Sequence, residues 1–278
     1  MKRCLVSFAV LSTCYLPLTT AVAADELSIA RDQEYTLPAG KTFIHYDKLT
    51  LESNASLMIP ESARTLTLRA DYFVAEKGAK IYQYFARRAP QGAQGPQGAQ
   101  PDYGDTGHPG GGGQPGTQGQ DSVDLTLQLG IARLDGTTIL LRSQAGGHGG
   151  KGGKGGLGGG ASCGQNKRGG NGGKGGRGGA GGAPGAAGPL SLIWWPVEHP
   201  VPHYRSGQPV GLTVVLQTGE GGWGGPPGDG GDGHGGKACF PVGKKGGGSP
   251  GPHGTLGQAD TGNSVYQGVS FERRELAL

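Results

Sequence analysis

The sequence has little of what builds a large hydrophobic core. Aromatic residues make up 6% of its 278 residues, hydrophobic residues 34%, and only two residues are methionine. This apolar share is below that of ordinary globular domains, so a conventional core must be small and confined to segments with little glycine. Charge is also scarce, at 17% charged residues and a formal net charge of +4. That balance is too mild to indicate a nucleic-acid partner.

Long hydrophobic runs are missing after the first residues, so we expect no transmembrane segment. The start of the chain has a positive charge, an apolar stretch over 5–18 and an Ala-Val-Ala site at 21–23. These features predict a signal peptide over 1–23 and export to the periplasm, the cell surface or the medium. The alternative is a lipoprotein lipidated at Cys14, although Thr13 stands where a smaller residue is usual.

Cysteine is rare, and removal of the signal peptide leaves only Cys163 and Cys239. In an oxidising compartment two thiols predict one disulfide. Two free thiols are the alternative.

Glycine, in contrast, is abundant, with 61 residues. Within 144–189 most of it follows a Gly-Gly-X repeat. A period of three fits neither an α-helix nor a β-strand, but it fits the polyproline II helix. Two of the three ridges of such a helix carry no side chain, so neighbouring backbones can approach and exchange hydrogen bonds. The repeat therefore predicts a bundle of polyglycine helices with the X residues outside. Disorder is the alternative.

Two further stretches are rich in glycine. Residues 91–120 keep a Gly-X-Y frame, which we interpret as an out-and-back excursion that turns near 101–104; a short trimerising collagen stalk is the alternative. Residues 219–262 form a third excursion.

The remaining segments alternate hydrophobic and polar residues, which is typical of β-strands. They comprise a β-rich region over 24–90, a β hairpin over 121–143 with Asp135-Gly136 as its turn, a segment with an aromatic and proline-rich loop over 190–218, and a C-terminal strand over 263–278. We expect a mainly β fold: a small β-solenoid or sandwich-like core with three polyglycine/polyproline II excursions packed as a bundle. Little or no α-helix is expected after the signal peptide. A likeness between 53–57 and 76–81 favours solenoid rungs.

Each cysteine lies near the middle of its excursion, in a stretch that interrupts the glycine period. Outward arms of about 15 residues extend for about 45 Å. Matched arms bring both tips to one height, so a disulfide between Cys163 and Cys239 is expected to pin the far end of the bundle. Closing a loop this long contributes about 4 kcal/mol in the chain-entropy model.

Motifs for catalysis or cofactor binding are weak. Ser249 lies in a G-x-S-x-G pattern without the strand and helix that such an elbow needs. A phosphate-loop pattern over 231–238 has Ala238 in place of the Mg²⁺-binding hydroxyl, and the histidines show no zinc spacing with cysteine. We expect no catalytic residues, no cofactor and no metal site, and hence a protein that is not an enzyme; an envelope hydrolase using Ser249 is the alternative.

Two sets of side chains are candidates for a ligand surface. The first is a basic strip for an acidic surface glycan or envelope component; the alternative is a solvated ridge paired with aspartates. The second is aromatic and lies near prolines; the alternative is a lid on the core. The strip comprises Lys151, Lys154, Lys174 and Arg177, and the aromatic set comprises Trp194, Trp195 and Trp223.

The Gly-Gly-X excursions resemble polyglycine II bundles, known from phage tail-tip adhesins and a glycine-rich insect antifreeze protein. The 92–119 stretch resembles bacterial collagen-like proteins, and the whole pattern is similar to glycine-rich exported bacterial proteins. Charged ridges count against an antifreeze face. The resemblance implies a structural or adhesive protein that presents a rigid bundle to a surface partner. A collagen-like trimeric surface protein is the alternative.

Overall fold

The computed structural model describes residues 25–198, 204–205, 207–239, 243–260 and 268–274. These ranges contain β-strands and extended segments but no α-helix, and so no helix long and apolar enough to cross a membrane. The expected signal peptide lies outside them. The strands are β1 (Glu26–Ile29), β2 (Glu34–Thr36), β3 (Phe43–Leu51), β4 (Ser56–Met58), β5 (Thr65–Ala75), β6 (Lys80–Gln83), β7 (Asp124–Leu134), β8 (Thr137–Arg142), β9 (Leu190–Pro196), β10 (Tyr204–Arg205), β11 (Gln208–Pro209), β12 (Leu212–Gln217), β13 (Lys237–Cys239), β14 (Gly243–Lys245) and β15 (Val269–Arg273).

Two parallel sheets form the core. One has six strands in the order β1-β3-β5-β7-β9-β15, and the other has five in the order β12-β8-β6-β4-β2. From β1 to β9 the chain alternates between the sheets, so each pair of strands is one rung of a solenoid. The mainly β, solenoid-like core is therefore confirmed. The two similar segments occupy the same place in successive rungs, since Ser56 pairs with Lys80 and Leu57 with Ile81.

Apolar side chains from equivalent positions of successive rungs form rows that fill the space between the sheets. Leu57 lies beside Ile81, which lies beside Ile139, and each is at most 1% exposed. Because parallel strands stay in register, the alternation along one strand places its inward residues against those of the next rung. Complete burial of such a side chain contributes about 1.5–3 kcal/mol.

The expected hairpin over 121–143 is wrong. Strands form on both sides of Asp135-Gly136, but β7 pairs with β5 and β9, whereas β8 pairs with β6 and β12. The left-handed Gly136 (φ 72°) turns the chain from one sheet to the other, directly over Gly78 (φ 79°), whose N–H bonds to the carbonyl of Gly136 at 3.2 Å. A glycine in the left-handed conformation fits a solenoid corner as well as a hairpin turn, so the Asp135-Gly136 dipeptide alone does not distinguish the two.

All three excursions replace the same corner of successive rungs. They leave after β6, β8 and β12 and return at β7, β9 and β15. Each consists of two antiparallel extended arms: arms 1 and 2 (89–100 and 105–120), arms 3 and 4 (144–160 and 169–188), and arms 5 and 6 (219–235 and 248–260). Arms 1, 3 and 5 extend neighbouring strands of one sheet, and arms 2, 4 and 6 lead into neighbouring strands of the other. The bundle therefore has two layers that continue the two sheets.

Buried polar side chains hold the base of the bundle. The Gln83 Oε1 accepts the Val123 N–H at 2.6 Å, which joins the point where the first excursion leaves to the point where it returns. The Ser143 hydroxyl donates to the Gly185 carbonyl at 2.6 Å and accepts the Gly219 N–H at 2.8 Å. These bonds satisfy groups that are shielded from water and fix the direction in which the arms depart.

The turns and the crosslink lie where the sequence placed them. The first excursion turns around Gly104 (φ 79°) and joins the bundle, because the Gly92 N–H bonds to the His148 carbonyl at 2.9 Å. The disulfide between Cys163 and Cys239 is confirmed, with a Cα–Cα distance of 5.6 Å. It joins the tips of the second and third excursions.

Candidate binding surface on the glycine bundle

The interior of the bundle has room for glycine only. The Gly150 N–H bonds to the Gln114 carbonyl at 2.8 Å, and a β-carbon on Gly150 would lie 2.0 Å from the Ala93 carbonyl oxygen. In arms 3 and 4 buried pairs of glycines alternate with more exposed X residues over most of their length. Side chains of these arms therefore extend only from the X ridges.

The hydrogen bonds show that the X ridges of arms 3 and 4 lie on opposite faces. Arm 3 exchanges backbone bonds with arms 1, 2, 4 and 5, and arm 4 with arms 2, 3, 5 and 6. Arms 3 and 4 therefore each have one open side, which is the outer side of their own layer. We call the outer side of arms 1, 3 and 5 face 1, and that of arms 2, 4 and 6 face 2.

The structure does not bring the four predicted cations together. Lys151 and Lys154 lie on face 1, whereas Lys174 and Arg177 lie on face 2. On face 2, the Asn171 Oδ1 accepts the Ser249 N–H at 2.8 Å, within one layer. His253 of arm 6 lies 3.6 Å from Asp229 of arm 5, across the two layers.

The face 1 lysines are paired with aspartates of arm 5. The Lys151 Nζ lies 3.0 Å from the Asp229 Oδ2, and the Lys154 Nζ lies 2.9 Å from the Asp232 Oδ2. The hydrogen bond from Lys151 lowers the pKa of Asp229. Exposed pairs of this kind add little stability, but they neutralise the middle of face 1. No ion pair to Lys174 or Arg177 occurs within the described ranges, so these two side chains keep their own charge unpaired there.

The three predicted tryptophans have different environments. Trp194 is fully buried, and its indole N–H donates to the Gly207 carbonyl at 2.8 Å, so it belongs to the core. Trp195 is half-buried beside Gly130 of β7. Trp223 is 72% exposed and meets His148 edge-on, with ring centroids 6.1 Å apart. Only Trp223 therefore offers most of its surface to a partner on the bundle.

A ridge of amide side chains on arm 1, in the same layer as Trp223, is a further feature of face 1 that was not among the predicted site residues. Glutamine recurs every third residue on arm 1, which is a signal visible in the sequence. The Gln91 Nε2 donates to the Gly149 carbonyl at 3.4 Å, and the Gln100 Nε2 to the Gly158 carbonyl at 3.3 Å, both on arm 3. Face 1 thus carries amides, paired charges and one aromatic ring. The exposed ridge comprises Gln91, Gln94, Gln97 and Gln100.

Comparisons with known proteins give no assignment. No protein-family model matches the chain, and no curated protein does. Among solved structures, a springtail antifreeze protein from Granisotoma rainieri, described as a bundle of nine polyproline type II helices, is 24% identical over 69% of this chain and 100% of that chain. Its TM-score is 0.12, which gives no basis for an argument about fold or function.

Proposed function

We propose that the chain is a non-enzymatic, exported structural or adhesive protein whose bundle presents face 1 to a surface glycan. The observation that carries the proposal is the construction of the bundle. Glycines buried between backbones fix the arms, and the ridges of side chains stand outside at intervals of about 9 Å, three residues at 3.1 Å each. A rigid array of this kind suits a repeating ligand, because no ordering of loops has to accompany binding.

The chemistry of face 1 favours an uncharged glycan. Trp223 supplies an exposed apolar ring, and the glutamine ridge supplies amide donors and acceptors for hydroxyl groups. The pairing of Lys151 with Asp229 and of Lys154 with Asp232 removes net charge between them. A neutral ligand loses less solvation free energy on such a surface than a charged ligand does.

Export is supported by the disulfide, which is usual in oxidising compartments, together with the signal-like start of the chain. The collagen-like alternative is disfavoured because the glycines of 92–119 bond to arms of the same chain. The hydrolase alternative is disfavoured because Ser249 lies in an extended arm, where its N–H is bound by Asn171. Light scattering is expected to give the mass of a monomer.

Binding to a panel of neutral and acidic polysaccharides tests the proposal. We expect retention on a neutral polysaccharide, and Trp223→Ala to weaken it at least about tenfold, as truncation of a central tryptophan commonly does. Leu256→Ala is the matched control, because Leu256 is 66% exposed on arm 6, in the other layer.

Two other binding results would contradict this proposal. Retention on acidic polysaccharides alone, abolished by Lys174→Gln with Arg177→Gln but not by Trp223→Ala, would move the contact to face 2. Binding to no polysaccharide, together with protection from surface labelling on intact cells, would leave a structural role within the envelope and refute the glycan assignment.

A further inference from the structure

A histidine and two aspartates meet on the six-stranded sheet, outside the bundle. His45 and Asp47 lie on β3, and Asp71 lies on the neighbouring β5. The His45 Nε2 lies 3.0 Å from the Asp71 Oδ2 and 3.9 Å from the Asp47 Oδ1. One potential ligand atom from each residue lies within 4.8 Å of the other two. All three side chains are about half-exposed, so a dissolved ion can reach them.

The register of β3 and β5 brings the two carboxylates together beside an irregularity in the pairing of β5 with β7. From Ala70 to Phe73, β5 advances three residues while β7 advances two. Between Phe73 and Val74 β7 advances two residues and recovers the register. Strand β3 keeps its register with β5 on both sides of this stretch, with Tyr46 opposite Ala70 and Lys48 opposite Tyr72. Asp47 and Asp71 are therefore cross-strand neighbours beside this irregularity, and bulges commonly redirect side chains at functional sites.

The charges of this cluster are only partly compensated. Like charges that face each other on neighbouring strands repel, and a single N–H on His45 Nε2 satisfies Asp71 but not the more distant Asp47. The Arg69 Nε donates to the Asp71 Oδ1 at 2.8 Å, which leaves the Oδ2 turned to His45. The Asp71 carboxylate is therefore held in one orientation by Arg69 and His45.

We propose that His45, Asp47 and Asp71 form a binding site for a divalent transition-metal cation, with Zn²⁺ as the best match. One imidazole nitrogen and two carboxylate oxygens are ligands that Zn²⁺ takes, at about 2.0–2.2 Å each. The three atoms lie within 4.8 Å of one another, and side-chain rotations would bring them to bonding distance of one ion. His45 carries its ring proton on Nδ1 in the bound form, and Arg69 positions Asp71 from outside the ligand set.

The expectation of no metal site rested on the absence of zinc spacings between histidine and cysteine in the sequence. His45 and Asp71 are 26 residues apart in the chain and meet only because their strands pair.

Titration calorimetry with ZnCl₂ on the chelator-treated, dialysed chain tests the site. We expect one equivalent of Zn²⁺ to bind saturably. The affinity for this Zn²⁺ should fall at least about tenfold in His45→Ala and in Asp47→Asn. Both positions face solvent, so circular dichroism should show that the variants fold. His108→Ala, at an exposed position of arm 2, is the matched control and should leave this equivalent intact. Excess Mg²⁺ should not displace Zn²⁺, since Mg²⁺ retains its water and prefers oxygen ligands.

Three results would overturn the proposal. These are absence of a saturable equivalent in the unmodified chain, retention of full affinity in both His45→Ala and Asp47→Asn, or loss of the equivalent in His108→Ala. The last result would place the ion on the bundle. None of these outcomes depends on whether face 1 binds a glycan.

Discussion

A glycine inside the bundle stabilises it because the absence of a side chain lets the neighbouring backbones approach. The carbonyl oxygen of Ala93 lies 2.0 Å from where a β-carbon on Gly150 would be, so arms 1 and 3 must separate to admit even a methyl group. We expect Gly150→Ala to lower the free energy of unfolding by about 3 kcal/mol, the upper end of the usual cost of overpacking. Chemical denaturation of the oxidised chain measures this change.

The matched control is Gly164→Ala at the tip of the second excursion. Nothing lies within 4 Å of its added β-carbon, and its φ is not positive. The same substitution there should change stability by less than about 0.5 kcal/mol, in line with other surface positions. Equal losses at Gly150 and Gly164 would contradict the packing of the arms.

At the scale of elements, the disulfide restrains the free ends of two excursions. Cys163 and Cys239 are separated by 76 residues in the chain, and the loop they close includes arms 4 and 5. We expect the Cys163→Ala, Cys239→Ala double variant to lose about 4 kcal/mol of stability if the chain-entropy model holds. Because the backbone bonds of the arms remain, hydrogen exchange should accelerate first at the tips and last at the base. Uniform acceleration along the arms would show that the crosslink does not act locally.

Much of this element layout could be predicted from the sequence. The period of three in Gly-Gly-X specifies polyproline II arms whatever their neighbours, and the interrupted period around Cys163 and Cys239 marks the tips. What could not be predicted is the order in which the arms pack, because that order follows the strands of the core. Lys151 and Lys174 have equivalent places in the repeat yet lie on opposite faces for this reason. The prediction of a hairpin at Gly136 was wrong for a similar reason, since the two sheets determine which strands pair.

At the scale of the molecule, the core acts as a template for the bundle. Strands in a sheet lie about 4.8 Å apart, and arms 1, 3 and 5 begin at neighbouring strands of one sheet, while arms 2, 4 and 6 end at neighbouring strands of the other. Ser143 links the two parts, because its hydroxyl binds backbone groups of both later excursions. Core and bundle should therefore unfold together.

Leu127→Ala tests this coupling. Leu127 is fully buried between the sheets, so its truncation should cost about 2–5 kcal/mol. Under conditions in which exchange reports global opening, the glycine amides of arms 3 and 4 should accelerate as much as the amides of β7 and β8. Leu157→Ala is the same substitution on arm 3, where the side chain is 40% exposed, and should change neither set. If Leu127→Ala accelerates the strand amides alone, the bundle is an independent unit and its two layers do not require the sheets they continue.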